Sequence, residues 1–323
     1  NNRLTGTFDW YRRNTKDMLV AGATLPATLG ASVPKSNSAD MKTIGWELSL
    51  GWNDRLENGF SYWVKGVLSD YQATITKYAG NDAGFYSQSD GDGKYYVGQK
   101  IGEIWGYHSN GLFQSDDEAA TIDQSELYAG KWGAGDVKYE DLDGDGKITK
   151  GEETIYNPGD KSIIGNKTPR YQFGITVGFD YKNFDFEMFW QGTGKRDYML
   201  SGAQFWGFTS QWDVPYTPAL DYWTETNTDA YFPRPGWQNG GNRVTSDRYL
   251  QSAAYGRLKN LTVGYTIPKN LTTKWGISRL RLYVTGENLL TITPLNDAFD
   301  PETLGGLTYP INRKVAIGLN LTL

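Results

Sequence analysis

The residues of this chain best suited by type and spacing to chemistry are Asp141, Asp143, Asp145 and Glu152, within the run D-L-D-G-D-G-K-I-T-K-G-E. Carboxylates at alternate positions, a glycine after the third and a carboxylate six residues further on reproduce the calcium-loop spacing. Ca²⁺ takes roughly six to eight hard oxygen ligands, and a loop of this kind supplies them. The three aspartates converge on one point, Gly146 permits the sharp turn, and Lys147 offers its backbone carbonyl. Thr149 would hold a water, and Glu152 would bind through both oxygens. The flanks do not read as EF-hand helices, since Val137–Glu140 is extended and Asn157-Pro158-Gly159 is a turn. The expectation is a lone structural calcium loop stiffening a long connection; the alternative is an acidic Asx/Gly turn without a metal. Ser89–Lys94 repeats the pattern weakly, without a distal carboxylate.

Other chemistries find little support. The chain has no cysteine, so disulfides, thiolate zinc sites and thiol catalysis are excluded. The single histidine, His108, rules out multi-His metal sites and, unless it serves alone, Ser-His-Asp triads; it reads as a loop residue. Asp185 and Glu187 stand on one strand, whereas glycosidase chemistry needs two carboxyls across a cleft. There is no phosphate-cradling glycine loop and no nucleophile beside a base, so the expectation is that this is not an enzyme. A net charge of −5 argues against a nucleic-acid partner. Trp132, Trp206, Trp212, Trp223 and Trp237 lie in polar connections. They offer flat faces for sugar rings, though such residues more often pack a loop's own core or an interfacial girdle. Trp46, Trp52 and Trp190, near strand ends, read as girdle or lipid-facing residues.

The elements that must position these residues are strands. In Arg170–Gln191, Tyr171, Phe173, Ile175, Val177 and Phe179 alternate with polar or small residues. After Tyr181-Lys182-Asn183, Phe184, Phe186, Met188 and Trp190 do the same. Side chains on a strand point to opposite faces with a period of two, so each limb has one apolar face. Limbs near the ~9–11 residues of a tilted membrane-crossing strand suggest a transmembrane hairpin with lipid on one side and a polar lumen on the other. Similar patterns occur at 3–12, 42–53, 60–71, 249–267, 279–290 and 314–323, which gives eight candidate strands. The facing of 60–71 is ambiguous, with Trp63 and Val67 on one side and Tyr62, Val64 and Leu68 on the other.

Connections alternate between long (about 14–40, 72–168, 195–247 and 291–309) and short (54–59, 181–183 and 268–278). In an antiparallel meander this sorts every long loop to one end, as in outer-membrane barrels and unlike Greek-key sandwiches. The fold class expected is therefore all-β: a transmembrane antiparallel β-barrel, whose eight strands contribute to a wider barrel rather than closing a narrow one. No run of about 18 apolar residues exists for a membrane helix, and the mean hydropathy is −0.57. The opening, Asn1-Asn2 followed at once by a strand pattern, suggests a piece of a longer protein.

Several stretches resemble one family, the SusC/RagA-like TonB-dependent outer-membrane transporters of Bacteroidetes. They are IGEIWGYHSNGLFQS (101–115), GDVKYEDLDGDGKIT (135–149), IGNKTPRYQFGI (164–175), DYWTETNTDAYFPRP (221–235), YGRLKNLTVGYTIPKNL (255–271), RLRLYVTGENLLTIT (279–293) and FDPE (299–302). The family ends in an aromatic residue, where this chain has Leu323. The resemblance implies that residues 1–323 are the C-terminal part of such a barrel, with large extracellular loops at about 72–168 and 195–247 and with the plug domain absent from this chain. It further implies an outer-membrane location and import of glycan oligomers or peptides. The implied partners are a SusD-like surface lipoprotein serving as lid, the TonB complex acting through the missing N-terminal part, and outer-membrane lipid. The alternative is a soluble, secreted carbohydrate-binding β protein with a structural calcium.

Overall fold

Long strands form here because alternating segments pair with neighbouring strands, so that their backbone N–H and C=O groups enter ladders. The computed structural model describes residues 3–21, 28, 30, 34–79, 81, 84, 85, 95–304 and 309–323. One eight-stranded antiparallel sheet dominates it. Its strands are β1 (Leu4–Ala21), β2 (Lys35–Arg55), β3 (Ser61–Tyr78) and β4 (Arg170–Tyr181), followed by β5 (Phe184–Lys195), β6 (Tyr255–Thr266), β7 (Arg279–Ile292) and β8 (Lys314–Thr322). They lie side by side in chain order, without a crossover. β1 and β8 are its edges and do not pair with each other, so among the described residues the sheet is an open arc.

Register assigns the faces. Leu4, Trp52, Val64, Val177, Met188 and Leu261 are successive partners across six strands. The next row, Thr5, Gly51, Lys65, Thr176 and Phe189, points the other way. The ambiguity of β3 is thereby settled: Tyr62, Val64 and Leu68 join the apolar face, and Trp63 and Val67 the polar one. The apolar face stays uncovered, with Ile317 83% exposed. On the polar face, rings lie flat over cross-strand glycines. A Cβ added at Gly178 would come within 2.2 Å of the Trp63 ring, and one at Gly318 within 2.3 Å of the Tyr283 ring. These glycines give up packing of their own so that large aromatic rings can lie along the sheet.

Three expectations change. The connection expected over 14–40 is shorter, because Asn14 pairs with Lys42 and Val20 with Ser36. Ladder bonds are made by backbone, so pairing continues through Arg12-Arg13-Asn14-Thr15, where side-chain alternation has stopped, and resumes at Met18 after an irregularity. The strand expected over 249–267 is broken. Asp247–Tyr249 is a 3₁₀ turn, Leu250–Ser252 pairs with Asp197–Met199 outside the sheet, and β6 starts only at Tyr255. Burial of the Tyr249 side chain in a core beyond the sheet overrides the strand pattern. Finally, a bulge between Leu258 and Asn260 interrupts the pairing of β6 with both β5 and β7.

That core belongs to a cap built by the described connections 95–169 and 196–254 at one end of the sheet, joined by 293–304. Its centre is Tyr139, Phe205, Trp206, Phe232 and Tyr249 with Val137, Leu200, Leu295 and Leu304. Short ladders brace it: Glu103–Tyr107 with Lys161–Asn166, and Ser109–Leu112 with Val137–Tyr139.

Candidate functional site

The acidic run lies in the cap, on the loop that follows the Val137–Tyr139 strand. Asp141, Asp143 and Asp145 each offer a carboxylate oxygen, and these oxygens lie within 4.8 Å of one another. Local N–H groups hold them: Asp141 accepts from Gly144 and Gly146, both at 2.7 Å, and Asp145 accepts from Lys147 at 2.8 Å. Gly144 and Gly146 have φ near 80°, a region open to glycine at little cost. The Gly146 N–H is the largest influence holding the Asp141 carboxyl below its usual range. Asp143 is raised instead. Its bond from the Asp145 N–H works downward, but desolvation and the carboxylates of Asp145, Asp160 and Asp141 outweigh it. Such crowding of hard oxygen donors fits a divalent cation of the calcium type, and the set contains no soft ligand for zinc.

Of the remaining predicted ligands, Lys147 adjoins the cluster through its N–H to Asp145, whereas Glu152 is not gathered with the aspartates. Lys147 bridges in parallel to Asp123, with Ile148 donating to the Asp123 carbonyl at 2.7 Å. Glu152 is outside the carboxylate cluster; its N–H donates to the Asn157 carbonyl in a separate turn. The carboxylate that fastens the loop is Asp160, fully buried, which accepts from Leu142 at 2.8 Å and from Thr149 at 2.7 Å. Its place in N-P-G-D-K carries no spacing signal, so sequence reasoning missed it. Asp136 was missed for the same reason: buried, it accepts from Gly133, Arg234 and Asn242 and so ties the two long connections together. The echo at Ser89–Lys94 lies outside the described residues.

His108 sits between two short strands, a loop residue as expected, but it has specific partners. Its Nδ1 is 2.7 Å from Asp247 Oδ2, and its Nε2 is 2.7 Å from Ser162 Oγ. The other oxygen of Asp247 accepts the Ser109 N–H at 3.0 Å. This has the connectivity of a nucleophile, a base and an orienting carboxylate. Here it serves as a clasp, because it joins both long connections and because Asp247 also fixes the backbone beside His108. Sequence spacing could not show it, since its members are 54 and 139 residues from the histidine.

The tryptophans divide. Trp206 is buried in the cap core, and Trp132 and Trp223 pack against it. Trp212, 84% exposed, and Trp237 remain on the surface. Trp46 and Trp52 stand on the apolar face, opposite Trp10 and Leu4. Asp185 is held on the polar face by Arg281 through both Nε and Nη2, which removes it from acid–base work.

Where the polar face meets the cap, a cavity of about 550 Å³ opens among Gln172, Gln191, Thr193, Arg196, Tyr255 and Glu302. The segment 299–302 folds against this face, held by buried Arg257 bonded to Asp300 at 2.5 Å. Lys259, placed by the bulge, reaches Glu302 at 2.8 Å.

No family model matches the chain. It is 30% identical over 350 residues to TonB-dependent receptor P3 of Formosa agariphila, covering 99% of this chain and 32% of that protein. To TonB-dependent receptor SusC of Bacteroides thetaiotaomicron it is 25% identical, covering 99% of the chain and 30% of the relative. The chain thus spans about a third of the length of the curated relatives it matches. Among solved structures, that of the RagAB peptide transporter superposes with a TM-score of 0.74 at 21% identity, over 99% of this chain and 34% of that one, and speaks for the fold. With an uncrossed meander, sorted connections and relatives that match it end to end, the chain is similar over its whole length to TonB-dependent receptors of the SusC type and has the fold of an open arc of a transporter β-barrel.

Proposed function

We propose that this chain is the C-terminal barrel part of an outer-membrane TonB-dependent transporter subunit that imports glycan oligomers or peptides. The observation that carries the reading is the continuous, uncovered apolar face across all eight strands, backed by a polar face. In water such a face is an aggregation surface; in a bilayer it is the required lipid contact. A soluble carbohydrate-binding protein would have to cover it. On this reading the cap is extracellular and meets a SusD-like lipoprotein, while a plug and TonB contact in the remainder of the receptor supply the drive. No catalysis is assigned: the relatives' names are those of receptors. The full-length receptor should require detergent, and cells should take up labelled peptide or oligosaccharide only with both the receptor and TonB present. A full-length protein that stays monodisperse in water, or uptake indifferent to TonB, overturns the reading.

We also propose that the Asp141-Asp143-Asp145 loop takes a structural calcium, with Lys147 and Glu152 closing on it when it binds. The proximity of the three carboxylates supports this. Calorimetric titration of the EDTA-stripped receptor with Ca²⁺ tests it. One binding event lost in Asp141→Ala is expected, and an unchanged isotherm in that variant overturns it.

A further inference from the structure

Arg196 is the first residue after β5, where the chain leaves the sheet for the cap. Its backbone is fixed, with its carbonyl accepting from Ala253 at 2.7 Å. Its side chain is half-buried, and Nε donates to the Lys167 carbonyl at 3.1 Å. Among the described residues no carboxylate pairs with it. Asp197, next in sequence, accepts the Asn166 N–H, and Glu302, across the cavity, is bonded by Lys259 and lies 3.3 Å from Arg257. The cavity walls therefore hold one compensated anion and one uncompensated cation, amid the amides of Gln172 and Gln191 and the hydroxyl of Thr193. Beyond the Lys167 carbonyl, the Arg196 guanidinium has the Tyr198 ring, 6.0 Å away at the centroid, and both partners are neutral. A guanidinium partly withdrawn from water with only neutral partners is in an unfavourable state, which a counter-charge relieves. With Nε committed, the remaining edge of the planar fork matches a carboxylate, and a single cation balances a single negative charge.

We propose that this cavity is a subsite for a carboxylate-bearing end or branch of the transported oligomer, with Arg196 as its charge partner and the glutamines and Thr193 binding the neighbouring polar groups. This rests on the transporter reading and narrows its cargo to acidic oligomers. The carboxylate has two possible sources, a peptide terminus or a uronic acid.

Two matched probe pairs separate them, titrated calorimetrically into the full-length receptor in detergent: a hexapeptide with free or amidated C-terminus, and an oligogalacturonate or its methyl ester. The expected result is that, in one pair, the carboxylate form binds at least tenfold more tightly than its neutral counterpart. Arg196→Gln, which can still donate to Lys167, should abolish that difference and leave the neutral member within twofold, while Arg196→Lys keeps part of it. Heat-modifiable migration on gels confirms that each variant is folded. Absence of carboxylate preference in both pairs, a preference that survives Arg196→Gln, or no binding by any probe overturns the subsite. TonB-dependent uptake in cells judges the transporter reading separately: if uptake survives while these titrations fail, only the subsite falls.

Discussion

The sheet and the cap use the same residue types with opposite orientation. In the cap, Phe205, Tyr249 and Leu200 turn inward and are fully buried among aromatic neighbours. In the sheet, Phe8, Ile317 and Leu319 point outward and remain exposed. The cap behaves as a small water-soluble domain whose apolar groups are removed from solvent by one another. The sheet has no such core; its apolar groups are complementary to a surrounding phase. Residue type alone therefore does not fix inside and outside: the neighbouring solvent does.

The comparison can be broken at four points. The largest effect is expected from Phe205→Ala, which opens a cavity in the cap core at a cost of about 3–5 kcal/mol. Its damage should stay local: proteolysis of the cap accelerates while heat-modifiable migration of the barrel persists. Loss of the barrel signal would show that the two regions fold as one unit. Val177→Arg, in the middle of the apolar face, should cost about 2–4 kcal/mol in lipid, read as a lowered urea midpoint in vesicles. The same change in a water-facing strand would be nearly neutral, so an unaltered midpoint would contradict the lipid-facing assignment.

Next is Asp160→Ala, which strands the part-buried N–H groups of Leu142 and Thr149 at a combined cost of about 1–3 kcal/mol. Faster amide exchange confined to 141–149 is the expected signature. The smallest effect concerns pH. Asp141 is depressed in the folded loop, so its contribution is present above the ordinary carboxylate pKa and is lost as pH falls through its lower folded value. Asp143 is raised, so it opposes folding at neutral pH and ceases to do so on protonation. Asp143→Asn should therefore slow amide exchange of the calcium-free loop at pH 7 slightly, yet weaken its calcium binding. Faster exchange in the calcium-free variant would contradict the crowding of carboxylates.

Much of the sheet was legible. Strand identity, the short turns and the long connections follow from period-two alternation in segments such as Arg170–Gln191 and Lys314–Leu323, because a face in contact with one uniform medium imprints that period directly. The ends of β1 and β2 were not legible, since beyond the apolar band the ladder is held by backbone groups that every residue carries. Nor was the break before Tyr255, because Tyr249 satisfies a strand pattern and a cap core equally well.

The candidate sites divide along the same line. The aspartate loop was legible from spacing alone, since Asp141, Asp143 and Asp145 are brought together by a local turn whose glycines are fixed by the chain. Long-range packing sets the rest: Asp160 fastens that loop, His108 clasps Ser162 to Asp247, and Arg196 faces a cavity without a carboxylate partner. Each of these depends on pairs up to 139 residues apart meeting across separate connections. A one-dimensional spacing records only what neighbours along the chain can do; partners that meet through the sheet and its cap are set by register and packing.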